Sequence, residues 1–110
     1  MKITLIIDGK SCDFYATVTA RKGREAYTLK KQIVQELKES GGDYSDELMD
    51  RMAEFVVNAF DRQFTAQQFM DGYQGWFFDS LGIIDAVMNN VARALDEGFP
   101  AKNTAPQADK

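Results

Sequence analysis

The sequence predicts a mainly α, α+β fold: an N-terminal β-hairpin, about four helices and a disordered C-terminal tail. Three observations predict it. Between Lys2 and Val18 apolar residues recur at every second position around a central Asp8-Gly9 pair. From Arg24 to Asp96 they recur at intervals of three and four, the periodicity of amphipathic helices. From Lys102 onward, KNTAPQADK has no apolar periodicity and reads as a disordered tail.

In the hairpin, predicted over residues 2–19, Ile3, Leu5 and Ile7 alternate with Lys2, Thr4 and Asp8, and the phase resumes at Cys12, Phe14, Ala16 and Val18. Asp-Gly favours the positive φ angles of a tight two-residue turn. An isolated hairpin is marginal in water, so it must lie on the helices or on another subunit. Gly9-Lys10-Ser11 resembles the end of a phosphate-binding loop, but Thr4 stands where that motif needs glycine, and a strand follows where it needs a helix.

Thr19 to Gly23 reads as a basic connector into a helix over about 24–39, with Ala26, Leu29, Ile33 and Leu37 at helical spacing, widened by Tyr27 and Val34. Gly41-Gly42 ends it. Ser45 caps a second helix over 46–60, with Asp46 and Glu47 in the favourable first turn. Its apolar residues Leu48, Met49, Met52, Ala53, Phe55, Val56, Val57, Ala59 and Phe60 cover about half its circumference, which requires cover from a second side. Asp43, Asp46, Glu47 and Asp50 invite a calcium reading, yet the segment lacks the glycine and terminal glutamate of an EF-hand loop.

The third helix, over 66–73, carries a doubled start signal. Thr65 caps it, Gln68 can close a capping box, and Phe64 can clasp Phe69 as a hydrophobic staple. A last helix is predicted over 76–96, with Phe77, Leu81, Ile84, Met88, Val91 and Leu95 on one side and Trp76, Ile83, Val87 and Ala94 on the next. Gly82 lies inside it, and Gly98 and Pro100 stop it. Residues 1–100 form one predicted domain and 101–110 the tail.

Composition excludes most chemistry. The 110 residues include no histidine and one cysteine, Cys12, so an internal disulfide, the usual nucleophile-base pairs and zinc sites are ruled out. Asp71, Asp79 and Asp85 lie near the aromatic stretch Phe55–Phe78, but nothing pairs them at a definite geometry. No catalytic, cofactor or metal residue is therefore assigned, and the chain is read as a non-enzyme. The sequence shows no secretory leader and no apolar run near the roughly 18 residues of a membrane span, which points to a soluble cytoplasmic protein without a membrane partner.

The net charge of −4 is unevenly spread. Up to Ser40, eight basic residues face five acidic ones, about +3; the remainder carries about −7. Opposite-signed parts favour head-to-tail attraction between copies, with Arg21, Lys22 and Arg24 as candidates for self-association. Because the aromatics lie in the acidic part, nucleic acid is not expected as a partner. Aromatic residues and methionine are enriched in interface cores, and the candidate partner contacts are Phe60, Phe64, Phe69, Tyr73 and Trp76.

The ordered set Met1-Lys2-Ile3-Thr4-Leu5 with Asp8-Gly9-Lys10, Phe55-Val56-Val57-Asn58-Ala59-Phe60-Asp61-Arg62-Gln63-Phe64-Thr65, Phe69 with Asp71-Gly72, and Ile84-Asp85-Ala86-Val87-Met88-Asn89 resembles the tail assembly chaperones of long-tailed bacteriophages, especially the short forms of phages with Gram-positive hosts. Trp76-Phe77-Phe78 departs from the more polar link expected there. The resemblance implies a non-catalytic protein that coats the tape measure protein, gives way to tail tube subunits and self-assembles. It further implies absence from the mature virion and, in many members, a longer frameshifted form. A small regulatory adaptor and a minor structural tail component are the alternative readings.

Overall fold

A computed structural model describes the backbone of residues 1–98 and the side chains of residues 1–89. Strands β1 (Lys2–Ile7) and β2 (Lys10–Tyr15) form an antiparallel hairpin in which Ile7 faces Lys10 and Lys2 faces Tyr15. Asp8 and Gly9 take φ of 52° and 76°, the left-handed pair that a two-residue turn demands. Pairing continues past the strands, since the Ala16 N–H donates to the Met1 carbonyl and the N-terminal ammonium to the Ala16 carbonyl. Four helices follow: α1 (Ala20–Ser40), α2 (Asp46–Ala59), α3 (Ala66–Gly72) and α4 (Asp79–Gly98).

Two helix starts differ from expectation. The basic connector is the first turn of α1, because the Thr19 hydroxyl accepts the Lys22 N–H and caps the helix at Ala20 rather than near Arg24. Conversely, α4 begins at Asp79 rather than Trp76. Hydrogen bonds from the N–H groups of Asp79, Ser80 and Leu81 to the carbonyls of Trp76, Phe77 and Phe78 make a tight turn, and the Asp79 carboxylate accepts the Trp76 N–H at 3.2 Å. Three consecutive aromatics thus fan out of a turn, which removes the conflict of fitting all three on one helical face. The other ends agree closely. Gly41, at φ 74°, closes α1 by donating to Leu37, Ser45 caps α2, and both halves of the Thr65/Gln68 capping box are formed. Pro100, the tail 101–110 and the side chains of Val91, Ala94 and Leu95 lie outside the described residues.

The centre of the fold is α2. Leu48, Met52, Ala53, Phe55, Val56, Val57 and Ala59 are all buried, and α1, α3 and α4 each pack against this helix. Its wide apolar arc, which the sequence marks as needing cover from a second side, is covered by the chain itself. From α1 come Ala26, Leu29 and Ile33, and from α4 Ile84 and Val87. The Lys30 ammonium pairs with Asp85 across α1 and α4.

The hairpin docks through its apolar face and through one edge. Ile3 and Leu5 are buried, and β1 packs on α3. Just beyond α3, Tyr73 forms an isolated antiparallel bridge with Leu5, so the chain leaving the helix acts as a one-residue third strand. This brings Gly72 against β1 so closely that a Cβ there would collide with the Ile6 carbonyl oxygen. Gly82, by contrast, has open space around its Cα.

Two glycine-to-alanine substitutions should therefore act in opposite directions. Gly72→Ala should lower stability by about 1–3 kcal/mol, the range for overpacking against groups that cannot yield. Gly82→Ala should raise it by about 1 kcal/mol. Urea unfolding followed by circular dichroism measures both, and equal effects would contradict the close approach at Gly72.

Candidate partner-binding surfaces

The Phe55–Thr65 stretch builds a corner between α2 and α3. Asp61 and Arg62 both adopt left-handed backbone, at φ 58° and 56°, which non-glycine residues occupy only when held there. Each is held. The Arg62 N–H donates to the Val57 carbonyl at 2.9 Å, and its guanidinium donates to Asn58 Oδ1 at 2.7 Å. Asp61 pairs with the Lys22 ammonium at 3.0 Å, and Gln63 Nε2 donates to the Tyr15 carbonyl at 2.8 Å. The corner is thereby tied to α2, to α1 and to the end of β2.

Three of the five candidate contact residues belong inside this corner. Phe60, Phe64 and Phe69 are 1%, 3% and 1% exposed, so they cannot meet a partner while the chain is folded. Phe64 packs its ring on Phe14 at 5.0 Å and Phe60 at 5.8 Å, while Phe69 packs on Tyr73 at 5.5 Å. Their spacing marks them as apolar, and aromatic identity alone does not separate core from contact. Tyr73 is half-buried. Trp76 is 67% exposed and remains at the surface.

Trp76 is one member of a surface ridge that the sequence reading did not assemble. Phe78 lies at its centre, with ring centroids 5.5 Å from Trp76, 5.4 Å from Phe77 and 4.7 Å from Tyr44. Tyr44 comes from the link between α1 and α2, far away in sequence. Phe77, Phe78 and Tyr44 are half-buried, with the exposed carboxylates of Asp43 and Asp79 adjoining them in the chain. The Tyr73 hydroxyl donates to Asp79 Oδ2 at 2.9 Å, so one carboxylate fixes both Tyr73 and the Trp76 backbone. Partial burial, then that hydrogen bond and the carboxylate's charge, push the Tyr73 phenol above its ordinary 10.0.

Of the basic candidates, Lys22 is occupied internally. It is 8% exposed, donates to the Thr17 carbonyl at 2.6 Å and pairs with Asp61, so its place is structural. Arg21 and Arg24 are exposed and, among the described residues, enter no ion pair. They line a groove of about 810 Å³ between α1 and α2, together with Arg51, Glu25, Glu54, Gln32 and Asn58, over a floor of Leu29 and Phe55. Arg51 is held by Glu36 at 2.6 Å, and Glu54 by Arg62 at 3.4 Å.

Of the three carboxylates near the aromatic stretch, Asp79 holds the turn, Asp85 pairs with Lys30, and Asp71 is exposed. Among the described residues, no helix is long and apolar enough to cross a membrane, and no group of three or more His, Cys, Asp or Glu side chains stands close enough to hold a metal ion.

The model of one protein family, described as phage tail chaperone protein, matches residues 1–105. Searches of curated proteins and of solved structures returned no match.

Because the raised Tyr73 pKa means the folded state holds that proton more tightly than the unfolded state, its contribution is complete below about pH 10 and is lost as pH rises through the folded value. Stability should fall over that alkaline range. Asp79→Asn should lower the Tyr73 pKa towards 10.0 while leaving the part due to burial. Ultraviolet absorbance titration of the tyrosines checks this, and an unchanged titration in Asp79→Asn would contradict the coupling.

Proposed function

This chain belongs to the phage tail chaperone protein family, and on that premise we propose that it binds the tape measure protein during tail morphogenesis, keeps it from aggregating and recruits tail tube subunits to it. The family is not an enzyme family, so the function rests on surfaces. The observation that carries the reading is the Tyr44–Trp76–Phe77–Phe78 ridge, in which Trp76 stands 67% exposed on three half-buried rings packed against the edge of the core. Buried aromatic anchors supply most of the binding energy in protein interfaces. The tape measure is a long protein with apolar helices, and a shallow ridge on a helical fold suits reversible contact with such a face.

Reversibility matters because a coat that later gives way to tube subunits cannot grip very tightly. One exposed tryptophan flanked by half-buried rings fits that requirement better than a deep pocket. In this reading the protein acts in the cytoplasm of the infected or lysogenic host, associates with further copies of itself through apolar and charge-complementary surfaces, and is absent from the finished virion. The binding set is Trp76, Tyr44, Phe77 and Phe78, with Tyr73 in support through Asp79.

Co-expression with the tape measure protein tests the proposal. The wild-type chain should raise tape measure solubility and co-purify with it. Trp76→Ser should keep the fold, since the ring is mostly exposed, yet weaken the complex by about 2 kcal/mol, roughly thirtyfold, as expected for loss of an interface anchor. No complex with the wild-type chain would overturn the reading, and recovery of the chain in purified virions would favour a structural tail component.

A further inference from the structure

Arg51 meets Glu36 near one end of the α1–α2 pair and Lys22 meets Asp61 near the other, so the two helices run antiparallel. On α4, Asp85 holds Lys30. These contacts leave the outward face of α1 bare, and that face is patterned. Ala20, Arg24, Tyr27, Lys31, Val34 and Lys38 follow one another at steps of four, three, four, three and four, the spacing of the a and d positions of a heptad. All six are exposed, on the side of the helix away from the buried Ala26, Leu29 and Ile33. Cations and apolar residues alternate: Arg24, Lys31 and Lys38 hold one heptad position, and Ala20, Tyr27 and Val34 hold the other. The stripe runs for roughly 27 Å at the usual helical rise and contains no carboxylate. Among the described residues none of its three cations enters an ion pair. The Lys31 ammonium instead stands over the Tyr27 ring, 4.7 Å from its centroid, which keeps it in line with the apolar positions. Tyr27 and Val34 are 54% and 48% exposed, more than the core requires of either.

We propose that this face of α1 docks an acidic amphipathic helix of another protein, whose carboxylates meet Arg24, Lys31 and Lys38 and whose apolar residues sit on Ala20, Tyr27 and Val34. Charge and spacing together select that occupant. A cation covered in a seam without a partner is costly, so the residues opposite the three cations are Asp or Glu. In a parallel pairing a faces a and d faces d; in an antiparallel pairing a faces d. Either way the docked helix carries carboxylates at one heptad position and apolar residues at the other. A lipid or nucleic-acid surface would use the cations but would have no use for apolar residues at every second seam position. A second copy of this chain does not supply the required helix. The exposed side chains of α2 are all polar, α3 has seven residues, and the described side chains of α4 expose one carboxylate, Asp79. The inference does not rest on tape measure binding, because the stripe shares no residue with the aromatic ridge.

Synthetic helical peptides test the assignment with the full chain. The probe is a fluorescent peptide as long as α1, 21 residues, with leucine at one seam position and glutamate at the other in every heptad. One control replaces each glutamate with lysine, and a second scrambles the same composition so that the seam is lost. Fluorescence anisotropy should show binding of the glutamate peptide, no binding of the lysine peptide, and binding of the scrambled peptide at least about tenfold weaker. Higher salt should weaken the glutamate complex. Arg24→Glu/Lys31→Glu should weaken it by about tenfold or more and bring in the lysine peptide, because the charges are exchanged. Tyr27→Ser/Val34→Ser should weaken binding of the glutamate peptide without that exchange. All four side chains are exposed, and circular dichroism checks that both variants fold. Failure of the glutamate peptide to bind, equal binding of the glutamate and scrambled peptides, or a charge-reversed variant that still prefers glutamate would each overturn the inference. Binding to anionic lipid vesicles in place of the peptide would overturn it in favour of a membrane surface. Tape measure capture by Trp76→Ser is read in a separate pull-down, so loss of this site and loss of the proposed function give different results.

Discussion

An α-helix that is apolar over about half its girth needs cover from more than one side, and α2 is such a helix. Seven of its fourteen residues are buried, on several sides of the cylinder. The fold satisfies that requirement with three other helices. The antiparallel helix α1 lies along it, α4 packs against both, and α3 closes the end at which the chain turns. The hairpin is then held at second hand, through α3 and through the aromatic contact of Phe14 with Phe64. Each outer element is placed by what α2 or its neighbours need covered.

The sequence carried the elements well because their signals are local. Asp8-Gly9, Gly41-Gly42, the Ser45 cap and the Thr65/Gln68 capping box depend on residues within a few positions of one another, and each is found where its chemistry placed it. The two displaced helix starts show where local reading ends. Thr19 is as good a cap as Ser45, but two basic residues in the first turn, Arg21 and Lys22, oppose the helix dipole and disguise it. Asp61, forty residues further on, pairs with Lys22 and offsets that cost. At α4, Asp79 could be recognised as the start only by knowing that Tyr73 and the Trp76 backbone converge on its carboxylate.

Contact surfaces were harder to read than elements, and the reason is the same. Phe60, Phe64 and Phe69 share residue type and neighbourhood with Trp76, and only the three-dimensional corner sorts them into core and surface. Tyr44 joins the ridge from another part of the chain. The motif that carries the family resemblance, Phe55 to Thr65, is almost wholly occupied with its own architecture. Its apolar residues fill the core, Asn58 holds Arg62, Asp61 holds Lys22 and Gln63 holds the Tyr15 carbonyl. The stretch thus encodes the corner between α2 and α3, and the ridge proposed to bind a partner lies outside it.

The Leu5–Tyr73 bridge also has a meaning in time. During synthesis the hairpin leaves the ribosome before the helices, yet the residues that cover its face and edge are made nearly sixty positions later. At about 5–20 residues per second, the apolar face of the hairpin waits roughly 3–12 s for α3 to arrive. Over that interval the nascent chain exposes an apolar face of its own, the same hazard that, in the proposed function, this protein covers on another.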